Sequence, residues 1–353
     1  MAEKKRRNWI VLGSIAFVVY VFAASMPIGT ETVLSPAWLR QPKEPVSESR
    51  AKDDSVPFHT NKLFGYFNPE GDFTLVKTRN ERTVISDRYW ADFEKTPASI
   101  DLYGSDGKLR YSIAERGYPY FADNRIFIVG VEQNQIIALD DAGKGKWRHD
   151  FPSIITCADA AAGFSVFGLL DGSIEVLDAK GSRLFAFEPG GSRLPVIAAV
   201  RLSSDGKKVA IISGVDPQRF ILLERSGQTY KVAHHEYMDR GFRRPVLASF
   251  IAGDKFVAFE RENGLAIYDV SARKTVIVDT KGRIVDFEDQ GARKRFFLIV
   301  DNGANRELIG INLPNEVFMR APFLSSDTFI TRRNDRIYLG GNGFIAALDI
   351  KNK

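Results

Sequence analysis

The sequence predicts an all-β fold, a seven-bladed β-propeller of four-stranded antiparallel blades, and three observations predict it. The first is a blade written out in full between Asp123 and Phe151. It reads as a turn (Asp123-Asn124), an apolar run from Arg125 to Gly130, and a polar turn from Val131 to Asn134. A second apolar run from Gln135 to Leu139 ends in Asp140, then a Gly-containing turn leads into a strand carrying Trp147. The second observation is repetition. The turn residues Gly107, Gly145, Gly181 and Gly227 fall about 36 to 46 residues apart, the period of a blade. The third is that the apolar runs are continuous and not alternating, as inner strands sandwiched between neighbouring sheets require.

Stacking the copies gives seven expected second strands. They are Thr83–Ile85, Arg125–Gly130, Phe164–Gly168, Val209–Ile212, Phe256–Phe259, Phe296–Val300 and Arg336–Gly340. Each follows a tight-turn signal rich in Gly, Asn or Asp, residues that tolerate the positive φ of short hairpins. Seven third strands align behind them: Ile100–Tyr103, Ile136–Leu139, Ile174–Leu177, Phe220–Leu223, Leu265–Tyr268, Leu308–Ile311 and Phe344–Leu348. Several of these run into an Asp (Asp140, Asp178, Asp269, Asp349) before turning. The last copy lacks a fourth strand, and Lys62–Phe67 has no blade of its own. That segment is therefore expected to close the ring, which abolishes an exposed sheet edge. The propeller so read spans residues 62–353.

Ahead of it, Trp9–Ile28 contains no charged residue and follows Lys4-Lys5-Arg6-Arg7. Twenty helical residues span roughly 30 Å, enough for a bilayer core. The basic cluster keeps residues 1–8 cytoplasmic by the positive-inside rule. The expectation is a single-pass anchor at the cell inner membrane over residues 9–28, with the propeller in the periplasm. Ala23-Ala24-Ser25 leaves a cleaved signal peptide as the alternative. Residues 29–61, with four prolines and no sustained apolar period, read as an extended linker. The sole cysteine, Cys157, can form no intramolecular disulfide and is expected to be a packing residue.

The copy from Asp123 to Phe151 resembles the pyrroloquinoline-quinone-type propeller repeat, with its aliphatic strand, Ala-Leu-Asp, Gly-Lys and Trp. Ser203 to Ala210 resembles the corresponding turn of WD-repeat propellers. Architecture and compartment are similar to those of the BamB family of outer-membrane assembly propellers, which are lipid-anchored through a cysteine that this chain lacks. Quinoprotein dehydrogenases resembling the repeat use adjacent cysteines beside their cofactor, so the resemblance implies the fold and no cofactor.

Charge excludes a nucleic-acid reading. Of the net +5, Lys4, Lys5, Arg6, Arg7 and Glu3 supply +3, leaving +2 for the rest of the chain. No nucleophile elbow, zincin helix or phosphate loop is present, so no catalytic residue is expected. Sorting turns by face predicts basic residues on the side of the first-to-second and third-to-fourth turns, including Lys207, Lys208, Arg332 and Arg333. Acidic turns (Glu132, Asp171, Asp216, Glu262, Asp301) fall on the opposite side. Two blade-to-blade connections combine aromatic, Met and Arg residues, the types enriched at interfaces. These give the expected partner-binding residues Tyr118, Tyr120, Tyr237, Met238, Phe242, Arg243 and Arg244, in connections expected to carry little core packing. Consecutive His234 and His235 point apart in an extended chain, so no metal site is expected there. The resulting reading is a non-enzymatic, membrane-tethered scaffold binding protein partners of the cell envelope. Its rival is a ligand- or metal-binding propeller, hydrolytic in one form, using a central pocket on the acidic-turn side.

Overall fold

The computed structural model describes Phe17 and residues 32–43, 54–80, 82–93, 99–239, 241–262, 264–288, 294–341 and 343–352. Among them, strands form eight antiparallel sheets, seven of four strands and one of three. In chain order the blades are residues 56–78 (blade 1), 82–113, 117–150, 155–187, 194–237, 248–279, 283–323 and 328–352 (blade 8). Strand Thr32–Arg40 is the fourth strand of blade 8, beside Phe344–Asn352. The expected seven blades are thus corrected to eight. The closing strand is Thr32–Arg40, whereas Leu63–Phe67 is the middle strand of blade 1. Of the segment expected as a linker, residues 32–40 and 56–59 are strands.

The chain divides into two compact units, residues 36–349 and residues 1–35 with 350–353. In the smaller unit, Lys351 Nζ donates to Ser35 Oγ at 3.3 Å. Among the described residues no helix is long and apolar enough to cross a membrane. The expected anchor Trp9–Ile28, apart from Phe17, lies outside the described residues.

Local chemistry explains the blades. Asp123 and Asn124, both at positive φ, make the two-residue hairpin of blade 3. The Asp that ends a third strand accepts backbone amides of the turn it opens: Asp140 from Ala142 and Lys144, Asp178 from Lys180 and Ser182. The amides of Lys144 and Ala142 hold the Asp140 carboxyl below the usual carboxylate range. Each blade then buries both faces against its neighbours. Separate apolar clusters join blades 8 and 1 (Val56, Phe58, Phe67, Tyr338), 2 and 3 (Leu102, Ile113, Ile128), and 5 and 6 (Phe220, Leu222, Phe259).

A recurring contact sets the register between blades. Trp147, on the fourth strand of blade 3, donates its indole N–H to Ala179 O of blade 4 at 3.1 Å. Its ring covers Gly181, where a Cβ would lie 2.5 Å from Trp147 Cδ2. Tyr111 of blade 2 repeats this on blade 3, with its hydroxyl on Asp141 O at 3.0 Å and its ring over Gly143. Trp38, on the closing strand of blade 8, repeats it on blade 1, with its indole N–H on Pro69 O at 2.9 Å and its ring over Gly71. Trp147 is thus half-buried at a blade interface, less enclosed than a core tryptophan.

This repeat identifies the strand that blade 1 lacks. In blades 3 and 4 the covered glycine lies between third and fourth strands; in blade 1 it lies between Leu63–Phe67 and Phe73–Thr78. Those are therefore the third and fourth strands, and Val56–His59 is the second. Two contacts agree. Asn61, in the turn after Val56–His59, donates its amide to Asp327 just before the first strand of blade 8, and Arg336, at the start of the second strand of that blade, reaches Pro69 O at 2.8 Å. Blade 1 has no first strand among the described residues. The first-to-second turns of blades 2 and 8 consequently meet across it, through Arg333 and Asp87 at 2.6 Å.

Two outcomes are expected from the docking contact. Trp38→Ala should cost about 2–3 kcal/mol, below the 3–5 typical of a fully buried large aromatic, read as a fall in denaturant midpoint. Gly181→Ala should destabilise because it forces a Cβ both at positive φ and into the Trp147 ring. In the Trp147→Ala background the same change should cost measurably less. Additive costs in that double-mutant cycle would show that the ring does not constrain the glycine.

Candidate interaction face and channel

At the end of the ring carrying the first-to-second turns, two cavities of about 470 Å³ each open into the channel. One is lined by first strands and turns of blades 3 to 6, including Asp159 and Arg201 from strands and Asp123 and Asp254 from turns. The other occupies the space where a first strand of blade 1 would lie, between Pro57, His59, Asp87 and Arg333. Both lie opposite the acidic-turn side on which a central pocket was expected.

The polar groups of this channel are largely spent on holding neighbouring blades. Tyr120 O–H donates to Ala158 O of the next blade at 2.7 Å, and Arg201 Nε to Ala248 O at 2.8 Å. Asp159 accepts the Leu202 amide at 2.7 Å, and Asp286 the Ile330 amide at 3.0 Å. Around the turns, Asp254 accepts the Ser204 amide at 2.9 Å. Arg332, expected on a basic face, is buried against Glu288 at 3.1 Å. Among the described residues no group of three His, Cys, Asp or Glu side chains could hold a metal ion. His234 stacks on Tyr268 at 4.4 Å, while His235 is exposed. Cys157 Sγ packs against Ile197 and Gly168, and burial pushes the thiol up to about 11. It is protonated at neutral pH and is a poor nucleophile.

The residues expected to bind a partner are dispersed. Tyr118 and Tyr120 belong to the first strand of blade 3, Gly117–Ala122, and not to a loop. Tyr118 lies under the Arg82 guanidinium at 4.7 Å, and Tyr120 lines a channel cavity. Tyr237 ends the fourth strand of blade 5 and is 55 % exposed. Beyond it, Met238 is buried and Phe242 packs on the blade 5–6 cluster. The buried Gln218 side chain accepts the Phe242 amide and donates to its carbonyl. Arg244 forks onto buried Glu260 at 2.6 and 2.9 Å and lies over the Phe242 ring. This connection carries core packing because a buried carboxylate must be paired. Of it, Tyr237 and Arg243 face solvent; Arg240 lies outside the described residues.

The opposite end, which carries second-to-third turns and blade-to-blade connections, has a feature that the sequence reading did not isolate. Val131, Ile154, Leu170 and Leu194 are each more than 40 % exposed there. Backbone contacts make their loops one continuous arc. Ile155 N donates to Gln133 O at 2.7 Å, and Leu170 N to Ile154 O at 2.8 Å. Gly172 in turn lies against Pro195, next to Leu194. Scattered exposed apolar residues are ordinary, whereas a contiguous exposed set on one face is the kind of feature that distinguishes interaction surfaces. The available signal was an apolar residue set inside a polar turn, as in Val131-Glu132 and Leu170-Asp171-Gly172.

Closed blades, a channel committed to structure and an exposed apolar arc define a β-propeller built around its surfaces. The chain belongs to the beta-propeller protein family, whose model matches residues 1–353. An uncharacterized protein of Treponema pallidum (strain Nichols) is 28 % identical over 293 residues, covering 80 % of this chain and 78 % of that protein. Two solved structures share the fold at low identity. BamB from Moraxella catarrhalis has a TM-score of 0.60 at 12 % identity and covers 90 % of this chain and 100 % of that one. The C-terminal WD40 domain of Sif2 has a TM-score of 0.62 at 12 % identity, covering 92 % and 100 %.

Arg244→Ala should lower stability by about 3–5 kcal/mol, because it strands the buried Glu260 carboxylate. Glu260→Gln, which removes the charge and keeps the shape, should recover part of that loss in the Arg244→Ala background. A denaturant midpoint unchanged by Arg244→Ala would return the segment to the status of a surface loop.

Proposed function

We propose that this chain is a non-enzymatic propeller that binds another protein of the cell envelope. The observation that carries the reading is the apolar arc of Val131, Ile154, Leu170 and Leu194 on the connection-bearing face. Exposed Tyr237 and Arg243 lie on the same face, further around the ring. The channel supports the non-enzymatic part, since Tyr120, Asp159, Arg201 and Asp286 are engaged between blades. The location outside the cytoplasm and the attachment to the inner membrane rest on Lys4–Arg7 and the uncharged run Trp9–Ile28.

A photocrosslinking residue at position 154 or 170 should give a discrete crosslinked species in intact cells. The same residue at Ile277, exposed on a fourth strand, should not. Equal crosslinking at 277, or none at 154 and 170, would remove the arc as the interface. In the same cells, protease should reach the propeller only after the outer barrier is opened. Digestion that requires lysis of the inner membrane would place the propeller in the cytoplasm.

A further inference from the structure

We infer that the occupant of the apolar arc is a polypeptide segment whose apolar side chains are flanked by Lys or Arg. The inference rests on the reading of the arc as a protein-binding site and adds the chemistry of the partner. The four loops that build the arc are residues 130–134, 150–154, 169–173 and 188–194. They carry Glu132, Asp150, Asp171 and Glu188, all exposed, and contain no lysine. Their one cation, Arg193, is engaged by Asp216 at 2.8 Å, and the Arg219 guanidinium that reaches the last loop is spent on Pro189 O at 2.7 Å and on Gly190 O. The arc is therefore an apolar strip with an acidic rim: Glu132 and Asp171 adjoin Val131 and Leu170, Asp150 ends the strand before Ile154, and Glu188 opens the loop that leads to Leu194.

Charge decides between occupants. Anionic lipid headgroups would meet four carboxylates and be repelled. A second copy, docking the same face on itself, would set acidic rim against acidic rim, which disfavours an isologous contact. A segment with apolar anchors and basic flanks satisfies both parts of the surface: the anchors bury against Ile154 and Leu170, and the cations meet the rim. Rim charges act chiefly on encounter rate and partner choice, so the attraction should be sensitive to salt.

The test uses the purified full chain and two fluorescently labelled synthetic peptides of one length, one of Leu and Lys and the other with every Lys replaced by Glu. Fluorescence anisotropy at low ionic strength should show the Lys peptide binding at least about tenfold more tightly, with the gap narrowing as salt rises. Ile154→Ser with Leu170→Ser should weaken the Lys peptide about tenfold or more. Glu132→Lys with Glu188→Lys should bring the two peptides toward equal affinity. These four side chains are exposed or half-exposed at turns, and unchanged melting of each variant confirms the fold. Equal affinity of the two peptides for the parent chain, or affinity unaltered by the Ile154 and Leu170 changes, would overturn the inference. With crosslinks at 154 and 170 intact, that result would discard the basic-flanked partner and leave the platform standing. Loss of those crosslinks would discard the platform itself.

Discussion

Four consecutive blade interfaces, from blades 8 and 1 to blades 3 and 4, depend on one contact: a ring or branched side chain on a fourth strand, seated on the glycine of the next blade's last turn. Trp38 on Gly71, Tyr111 on Gly143 and Trp147 on Gly181 share both the packing and the hydrogen bond, each time to the carbonyl two residues before the glycine. Leu75 against Gly107 keeps the packing without a polar tip. At Gly71, Gly143 and Gly181 glycine is required twice over, by a positive φ and by the absence of room for a Cβ, whereas at Gly107 only the positive φ requires it. Because the donor side chain and the acceptor turn belong to consecutive blades, the contact carries register from blade 8 to blade 4 and cannot be satisfied within a single sheet. At the closing interface Trp38 makes the same contact, so the N-terminal strand joins the repeat that orders blades 1 to 4.

Among the described residues, blade 1 has three strands where the others have four. Its second, third and fourth strands keep the docking turn and both apolar faces, so the ring retains its eighth member. Among the described residues Val56–His59 is the innermost strand of blade 1, and Pro57 within it has no N–H to offer. A proline at such an edge discourages pairing with a stray strand. The gap is then bridged by Arg333 and Asp87, and the remaining space is the cavity lined by His59 and Thr331.

The fold class and the positions of most inner strands were legible because the apolar runs are continuous and the turn chemistry is explicit. Six of the seven expected second strands and all seven third strands occupy those positions. The exception is Thr83–Ile85, the first strand of blade 2. The true second strand, Tyr89–Phe93, contains Asp92, a polar residue that breaks the apolar run while accepting Thr83 Oγ1 at 2.7 Å. The blade count failed for a related reason. Gly145 stood in for Gly143, hiding the spacing of Gly71, Gly107 and Gly143 at 36 residues and with it the docking turn of blade 1. The closing strand was hidden by Pro36 within Thr32–Arg40, which reads as linker until its Trp38 is recognised as a member of the Tyr111 and Trp147 series.

The candidate site was less legible because residue types common at interfaces are also those that make good internal anchors. Met238, Phe242 and Arg244 have interface composition, yet burial, Gln218 and Glu260 have claimed them for the fold. The arc shows the reverse: aliphatic residues with ordinary identities become a surface because two backbone bonds and the contact of Gly172 with Pro195 hold their loops side by side. In a ring where channel polarity is spent on neighbouring blades, the connection-bearing face keeps exposed apolar side chains beside exposed carboxylates. Exposed loop residues such as Val131 and Leu170 can vary without disturbing a blade interface, whereas Met238, Phe242 and Arg244 on the same face cannot, so the fold separates residues free to change from residues that hold the ring.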